Sequence, residues 1–104
     1  MKPIVSIILP TLNEERGIIE TLKRINELDL DKEVLVVDGL STDNTIKNAE
    51  AYGARIVIEK RKGKGVAMAT GVKAAKSNII CFLDGDGTYP PRFIPKMLEL
   101  VKHC

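Results

Sequence analysis

The sequence is poor in aromatic residues and nearly balanced in charge. Tryptophan is absent, Phe and Tyr occur twice each, and 16 basic against 14 acidic residues leave a net charge of +2. Proteins that bind nucleic acids usually rely on a strongly basic surface and, for single strands, on aromatic side chains that stack on bases. We therefore expect no nucleic-acid partner.

Features of secreted and membrane-spanning proteins are also scarce. The two cysteines, Cys81 and Cys104, have neither metal-ligand spacing nor a disulfide framework, which favours a reducing compartment. The first apolar run, residues 4–9, is too short for a signal peptide or a membrane span. We expect a cytoplasmic protein, at most peripheral at the cytoplasmic face of the membrane.

Short apolar runs alternate with helical patterns along the chain. Four apolar runs predict strands, at residues 4–9, 33–37, 54–59 and 78–83. Each run precedes a segment with apolar residues at helical spacing. The runs are continuous, as in strands covered on both faces. The pattern predicts one domain over residues 1–104, an α/β fold with a doubly wound, mainly parallel sheet of four βα units.

The same pattern predicts details of the helices. The first apolar run stops at Pro10, and Thr11 or Asn13 is expected to cap the first helix. The third helix is expected to bury one face, formed by Met68, Val72 and Ala75.

Polar residues follow three of the predicted strands. They lie at residues 10–14, at Asp38, and at Asp84 and Asp86. Ligands of open α/β sheets bind beyond the carboxyl ends of the strands, so these residues are expected to meet at one edge. Helix capping is the competing role for four polar residues, Thr11, Asn13, Ser41 and Asp43.

The pair Asp84 and Asp86 suggests a metal site. The two carboxylates are separated by Gly85, and Gly87 follows, so the backbone can approach a ligand closely. Mg²⁺ or Mn²⁺ is often held by one or two protein carboxylates together with water and substrate phosphates. The pattern therefore predicts such a cation with a diphosphate ligand; a simple polar turn is the alternative.

Two other motif families share letters with this segment. A calcium-binding EF-hand loop needs glycine where Tyr89 stands and glutamate where Pro95 stands, so it is excluded. The haloacid-dehalogenase-like phosphatases have a similar D-x-D-G-T, which would make Asp84 the nucleophile and Asp86 an acid/base. In those proteins, however, the strand opens the domain and later strands supply a lysine.

A third resemblance extends over most of the chain. The segments "VSIILPTLNEE", "EVLVVDGLSTDNT", "GKGVAMATGVKAA" and "CFLDGDGTYPP" resemble, in order and spacing, the nucleotide-binding half of family 2 glycosyltransferases with the GT-A fold. The likeness to dolichyl-phosphate hexose synthases is strongest. It implies a GDP- or UDP-hexose donor, Mg²⁺ or Mn²⁺, and transfer to a polyprenyl or dolichyl phosphate acceptor.

The resemblance implies roles for residues after the first two strands. In the family, the loop after strand one holds the nucleotide, which corresponds here to Pro10, Leu12 and Glu14. The aspartate that ends strand two contacts the base, which corresponds to Asp38. The next position usually holds a second acid, where this chain has Gly39, and Leu40 replaces a usual glycine.

The resemblance also assigns the D-x-D segment. Asp84 and Gly85 would face the nucleotide sugar, and Asp86 would be the main metal ligand with Asp84 beside it. Thr88 stands where the hexose synthases often have a glutamine that assists the metal.

The basic segment "KRKGKG", residues 60–65, has two interpretations. It is either a solvated turn or a loop that helps to hold an anionic donor at a helix N-terminus. The spacing of a Walker phosphate loop is absent, and no G-x-G-x-x-G follows the first strand, which argues against a dinucleotide oxidoreductase.

The resemblance is limited to the donor-binding half of the enzymes. We therefore expect the acceptor-binding half and the general base to be absent, and the chain alone to show little transfer. A homo-oligomer or a partner chain is expected to cover the exposed edge. A non-catalytic nucleotide-binding or assembly module is the alternative function.

Overall fold

Four strands and three helices alternate in the structure, a computed structural model that describes residues 3–83. The elements are, in order, β1 (Val5–Thr11), α1 (Glu15–Asn26), β2 (Lys32–Asp38), α2 (Thr45–Ala51), β3 (Arg55–Ile58), α3 (Lys64–Ala74) and β4 (Ile80–Phe82). The predicted fourth helix and the D-x-D segment lie outside the described residues.

The strands form one parallel sheet in the order β3-β2-β1-β4. The chain first builds outward from β1 to β3 and then returns to add β4 on the other side of β1. This reversal makes β1 and β4 the topological switch point, beyond whose carboxyl ends ligands of such sheets bind. The predicted doubly wound α/β fold is confirmed.

Helices cover both faces of the sheet. On one face, alternate β1 residues pack with apolar residues of α1 and α2: Val5, Ile7, Leu9, Ile18, Leu22, Ile25 and Ala49. On the other face, the packing involves β1, β2 and α3: Ile8, Leu35, Val37, Ala67 and Ala74. Burial on both faces explains why the strands are continuous apolar runs.

Helix α3 lies unusually close to the sheet. A Cβ built on the buried Gly71 would be only 2.5 Å from Cγ2 of Ile8 and 3.2 Å from Cγ2 of Val37. The predicted buried face was wrong for Val72, which is 46% exposed, whereas Ala75 packs against the core as predicted. The prediction favoured the larger apolar side chains, whereas close helix–sheet contact requires the small ones.

Strand β1 extends further than predicted. It runs through Pro10 to Thr11, and its last two residues pair with Val37 and Asp38 of β2. This extension places Thr11 directly beside Asp38 and brings the loops that follow both strands together at the carboxyl edge of the sheet.

Candidate functional site

The carboxyl ends of β1 and β2 are joined by a buried carboxylate. Asp38 is fully buried, and its Oδ1 accepts hydrogen bonds from Thr11 Oγ1 at 2.8 Å and from Ser41 Oγ at 2.6 Å. Its Oδ2 accepts from the Ser41 backbone N–H at 2.7 Å. Asp38 thus holds the start of the β2–α2 loop and lies beneath the surface of this edge.

The β2–α2 loop caps the N-terminus of α1. Ser41 Oγ accepts a hydrogen bond from the Asn13 N–H at 2.8 Å, and Thr45 Oγ1 accepts one from the Glu14 N–H at 2.8 Å. The Asp43 carboxylate accepts from the Glu15 N–H at 3.3 Å. The donors at the start of α1 are therefore satisfied by residues about thirty positions away in the chain.

The contacts between the two loops are reciprocal. Asn13 Oδ1 accepts from the Thr42 N–H at 2.8 Å, and the Glu15 carboxylate accepts from the Asn44 N–H at 3.2 Å. The prediction that Thr11 or Asn13 caps α1 was wrong, because Glu14 is the N-cap and makes no side-chain capping bond. Only the pairing of β1 with β2 brings the true capping residues within reach.

Two residues of these loops adopt left-handed backbone conformations. Asn13 has φ 54° and Leu40 has φ 67°. Asparagine tolerates this region, whereas a leucine there is strained. Leu40 is also 51% exposed, and Leu12 is 57% exposed. Two large apolar side chains therefore project from this edge of the sheet.

A cleft of about 700 Å³ opens at this edge. Three segments line it: the end of β1 with its loop (Pro10, Thr11, Leu12, Glu14), the turn after β2 (Gly39, Leu40), and the β3–α3 loop with the first turns of α3 (residues 59–64 and Ala67). The first two segments supply the apolar residues Leu12 and Leu40 together with the acid Glu14, and the third supplies most of the charged residues. The cleft thus has one mainly apolar wall and one mainly charged wall.

The charged wall is mainly basic. Lys60, Arg61, Lys62 and Lys64 line it, and α3 begins at the same place. The N-terminus of a helix carries partial positive charge and backbone donors, so it favours anions. In the part of the chain that the structure describes, no acceptor pairs with the side chains of Lys60 or Lys62. The wall therefore suits an anionic group.

One acid lies within this basic wall. Glu59 is only 8% exposed, and it accepts hydrogen bonds from the backbone N–H, Nε and an Nη of Arg61 at 3.1, 3.2 and 2.8 Å. It also accepts one from Thr70 Oγ1 of α3. Hydrogen bonds from Arg61 and Thr70 lower the pKa of Glu59 to about 2. The carboxylate is therefore ionised at neutral pH.

The predicted site residues divide into three groups. The cleft is lined by the three first-loop residues that were predicted to hold the nucleotide: Pro10, Leu12 and Glu14. Asp38 is buried below the cleft. The remaining predictions, Asp84, Gly85, Asp86 and Thr88, fall outside the described residues. The nucleotide and metal roles of all these residues stay predictions.

The described region has no cluster of metal-ligating side chains and no membrane-spanning helix. Residues 3–83 contain no group of three or more His, Cys, Asp or Glu side chains that could hold a metal ion. The same residues contain no helix with the length and apolar character needed to cross a bilayer.

Glu59 was not among the residues predicted from the sequence, and Arg61 was predicted only as part of the basic segment 60–65. Glu59 ends the third apolar run, so the rule that ligands bind beyond strand ends applied to it as well. The basic loop was noticed, and both of its interpretations were left open. Its closeness to Leu12 and Leu40 depends on the sheet order and has no local signal.

Known proteins are similar to this chain in sequence and fold. The profile of Glycosyl transferase family 2 matches residues 6–103. A dolichol-phosphate mannosyltransferase from Pyrococcus furiosus is 35% identical over 106 residues, which cover 95% of this chain and 30% of that protein. The chain thus spans less than half of such relatives, as it also does for a Haloferax volcanii dolichyl-phosphate hexose transferase, of which 42% is covered.

Two solved structures show the same fold. Glucosyl-3-phosphoglycerate synthase from Mycobacterium tuberculosis, crystallised with Mn²⁺, UDP and glucosyl-3-phosphoglycerate, superposes with a TM-score of 0.81 at 32% identity over 95% of this chain and 39% of that one. A mannosyltransferase from Pyrobaculum calidifontis with GDP-Man and Mn²⁺ gives 0.78 at 34% identity over 89% and 30%. The chain has the GT-A fold and belongs to glycosyltransferase family 2.

Proposed function

We propose that this chain is the donor-binding part of a glycosyltransferase that uses a nucleotide-diphosphate sugar. The observation that carries the proposal is the cleft at the carboxyl edge, with apolar residues on one wall and a basic loop with a helix N-terminus on the other. A nucleotide-diphosphate sugar matches both walls, because its base and ribose can lie against the apolar residues and its anionic diphosphate against the basic loop.

The base and ribose would lie against the wall formed by the β1–α1 loop and the turn after β2. Leu12 and Leu40 offer exposed apolar surface there, and Pro10 and Glu14 line the same wall. We retain Asp38 as a base-contacting residue from the family resemblance. Oδ2 accepts only the Ser41 N–H and could accept another donor, but Asp38 is fully buried, so contact with a base would require the residues that cover it to move.

The diphosphate would lie against residues 60–64, where the cations and the α3 N-terminus face the cleft. Mg²⁺ or Mn²⁺ would be held by Asp86 and Asp84, with Thr88 as a weaker ligand and Gly85 at the nucleotide sugar. A bound cation would neutralise charge on the leaving nucleoside diphosphate. The solved relatives that contain UDP or GDP-Man together with Mn²⁺ support this assignment.

The acceptor is proposed to carry a phosphate group. Relatives of this chain include a dolichol-phosphate mannosyltransferase and a glucosyl-3-phosphoglycerate synthase. We favour hexose transfer to a polyprenyl or dolichyl phosphate, which would bring the protein to a membrane surface. The phosphatase function is not proposed, because the glycosyltransferase family match includes the D-x-D segment.

Thermal unfolding with nucleotides tests donor binding. GDP, UDP, GDP-mannose and UDP-glucose are each added with and without Mg²⁺ or Mn²⁺. A ligand at a hundred times its Kd stabilises by about 2.7 kcal/mol. In a domain of this size, each kcal/mol raises the midpoint by roughly 4–8 °C. We expect a metal-dependent shift with at least one nucleotide.

Two variants sharpen this experiment. Asp86→Ala is expected to remove the metal dependence, and Asp29→Ala, at an exposed position far from the cleft edge, is expected to keep it. No shift with any nucleotide would refute donor binding. Incubation of the chain with a labelled sugar donor and dolichyl phosphate then separates an active transferase from a binding module that needs a partner for turnover.

A further inference from the structure

Glu59 is an unexpected residue in an anion-binding wall, because a carboxylate repels phosphate. It is also firmly placed. The Glu59 N–H donates to the Asp38 carbonyl at 2.9 Å, which continues the pairing of β3 with β2 by one residue. Its side chain is nearly buried, and Thr70 of α3 donates to it. The carboxylate therefore links the end of β3 to α3 across the base of the basic loop.

Glu59 holds Arg61 in a defined orientation. Oε2 accepts from Nε and Oε1 accepts from an Nη, so the carboxylate and guanidinium form a two-point contact. The Arg61 N–H also donates to Oε2 at 3.1 Å, which fixes the backbone beside the side chain. An arginine held at two points by a carboxylate loses most of its freedom to rotate.

The remaining donors of Arg61 are available to a ligand. A guanidinium has five N–H groups, and those not directed at Glu59 point away from it because the group is planar. The Arg61 side chain is 71% exposed and lines the cleft. Within residues 3–83, no acceptor other than Glu59 contacts this side chain.

We propose that Glu59 and Thr70 are positioning residues that hold Arg61 so that its outward N–H groups bind the diphosphate of the donor. The proposal rests on the function proposed above, gives Arg61 a specific role within its basic wall, and adds Glu59 and Thr70. Arg61 is the group that contacts the ligand, Glu59 sets its orientation, and Thr70 fixes the Glu59 carboxylate from α3.

A positioning role and a simple charge effect predict opposite results. If Glu59 acts only as a charge, its removal makes the wall more positive and strengthens binding of the anion. If it positions Arg61, its removal weakens binding because the guanidinium becomes mobile. The sign of the change in affinity therefore distinguishes the two roles.

The experiment measures binding of the nucleoside diphosphate and of the matching monophosphate by calorimetry, with the metal present. We expect Glu59→Gln and Arg61→Ala each to weaken diphosphate binding by about tenfold, the effect of losing one hydrogen bond between charged groups. Monophosphate binding should change by less than about twofold, because the proposed contact is to the diphosphate. The double variant should bind no more weakly than Arg61→Ala, since Glu59 acts through Arg61.

Matched variants control for charge and folding. Glu20→Gln removes an exposed acid paired with Arg24 at 3.1 Å on α1 and should leave binding unchanged. Thr70→Val should weaken diphosphate binding, and Thr70→Ser, which keeps the hydroxyl, should restore it. If Glu59→Gln fails to fold, Arg61→Lys carries the test, because it keeps the charge at an exposed position and loses the two-point geometry.

The outcomes separate this proposal from the proposed function. If the wild-type chain binds a nucleoside diphosphate and Glu59→Gln binds it equally or more tightly, donor binding stands and the positioning role is refuted. Full binding by Arg61→Lys would refute it as well. If the wild-type chain binds no nucleotide, both proposals fail together.

Discussion

Glu33 and Glu59 lie at opposite edges of the sheet and have the same kinds of partner. Glu33, at the amino edge, accepts from the Ser6 hydroxyl and the Lys76 backbone N–H and lies 3.5 Å from Arg55. Glu59, at the carboxyl edge, accepts from a threonine hydroxyl, an arginine side chain and a backbone N–H. The pKa of each carboxyl lies below its ordinary value. For Glu33, burial raises the pKa, but the hydrogen bonds from Ser6 and Lys76 lower it by more.

The two carboxylates differ in whether their partners make further hydrogen bonds within the fold. Around Glu33, Ser6 also accepts from the Ser77 N–H, and Arg55 also donates to the Ala74 carbonyl. All of these groups are bonded to other parts of the fold, so the cluster closes the amino edge. The Arg61 side chain beside Glu59 is mostly exposed. The same chemistry therefore stabilises the fold at one edge and orients a cation at the other.

The two edges also differ in which residues adopt a left-handed backbone conformation. Among residues 3–83, the non-glycine residues with positive φ are Asn13 and Leu40, both at the carboxyl edge. At the amino edge the left-handed position is occupied by Gly53, with φ 86°, which adopts it without strain. Strain in folded proteins is concentrated at functional sites, which agrees with the cleft as the binding site.

The largest expected effect comes from Gly71→Ala, which should disturb both edges at once. Helix α3 begins at the cleft and ends beside Arg55, and the new Cβ would clash with Ile8. We expect a loss of about 1–3 kcal/mol in the free energy of unfolding, measured by urea denaturation. Gly65→Ala is the control: its Cβ meets nothing within 4 Å, so it should not destabilise.

Glu33→Gln is expected to weaken the amino edge alone. The amide oxygen can replace Oε2, which accepts from Ser6 and Lys76, but the NH₂ group then faces the Arg55 guanidinium and the negative charge is lost. We expect a loss of about 1–2 kcal/mol in the free energy of unfolding, with nucleotide affinity unchanged. Glu50→Gln, an exposed position on α2, should have no effect on either. A large loss of affinity in Glu33→Gln would contradict the division between the two edges.

Lowering the pH should reduce the stability that the carboxylates at both edges contribute. The folded-state pKa values of Glu33 and Glu59 lie below the ordinary 4.5, that of Glu59 at about 2. Each carboxylate therefore contributes stability above pH 4.5 that is lost as the pH falls toward its folded pKa. Thermal midpoints measured from pH 6 to 2 should fall less steeply in Glu33→Gln and in Glu59→Gln than in the wild type. Equal slopes would show that neither carboxylate is linked to folding.

The smallest expected effect is that of Leu40→Gly, which should separate stability from binding. Relief of the left-handed strain should raise the free energy of unfolding by up to about 1 kcal/mol, after the entropy cost of glycine. Nucleotide binding should weaken, because an apolar residue of the cleft is lost. Gly53→Ala, at the amino edge, should do the reverse: lower stability and unchanged binding. A lower free energy of unfolding in Leu40→Gly than in the wild type would show that the leucine is not strained.

Local patterns predicted most of the fold and the part of the described cleft that the first loop forms. The apolar runs identified all four strands, and the strand-end rule placed Pro10, Leu12 and Glu14 at the site. The buried face of α3 was not predictable from residue size, because the close approach at Gly71 depends on the shape of the sheet. The partners of Asp38 likewise depended on the register that sets Thr11 beside it.

The alternation of strands and helices, the family resemblance and the edge at which polar residues gather follow from the sequence alone. These features depend on the period of apolar residues and on which residues follow each strand, and both are local. By contrast, the loop that caps α1, the groups that surround Glu33 and the wall of the cleft that holds Arg61 are set by tertiary packing. These contacts join residues distant in the chain, and their geometry is set by strand order and register, which no local pattern records.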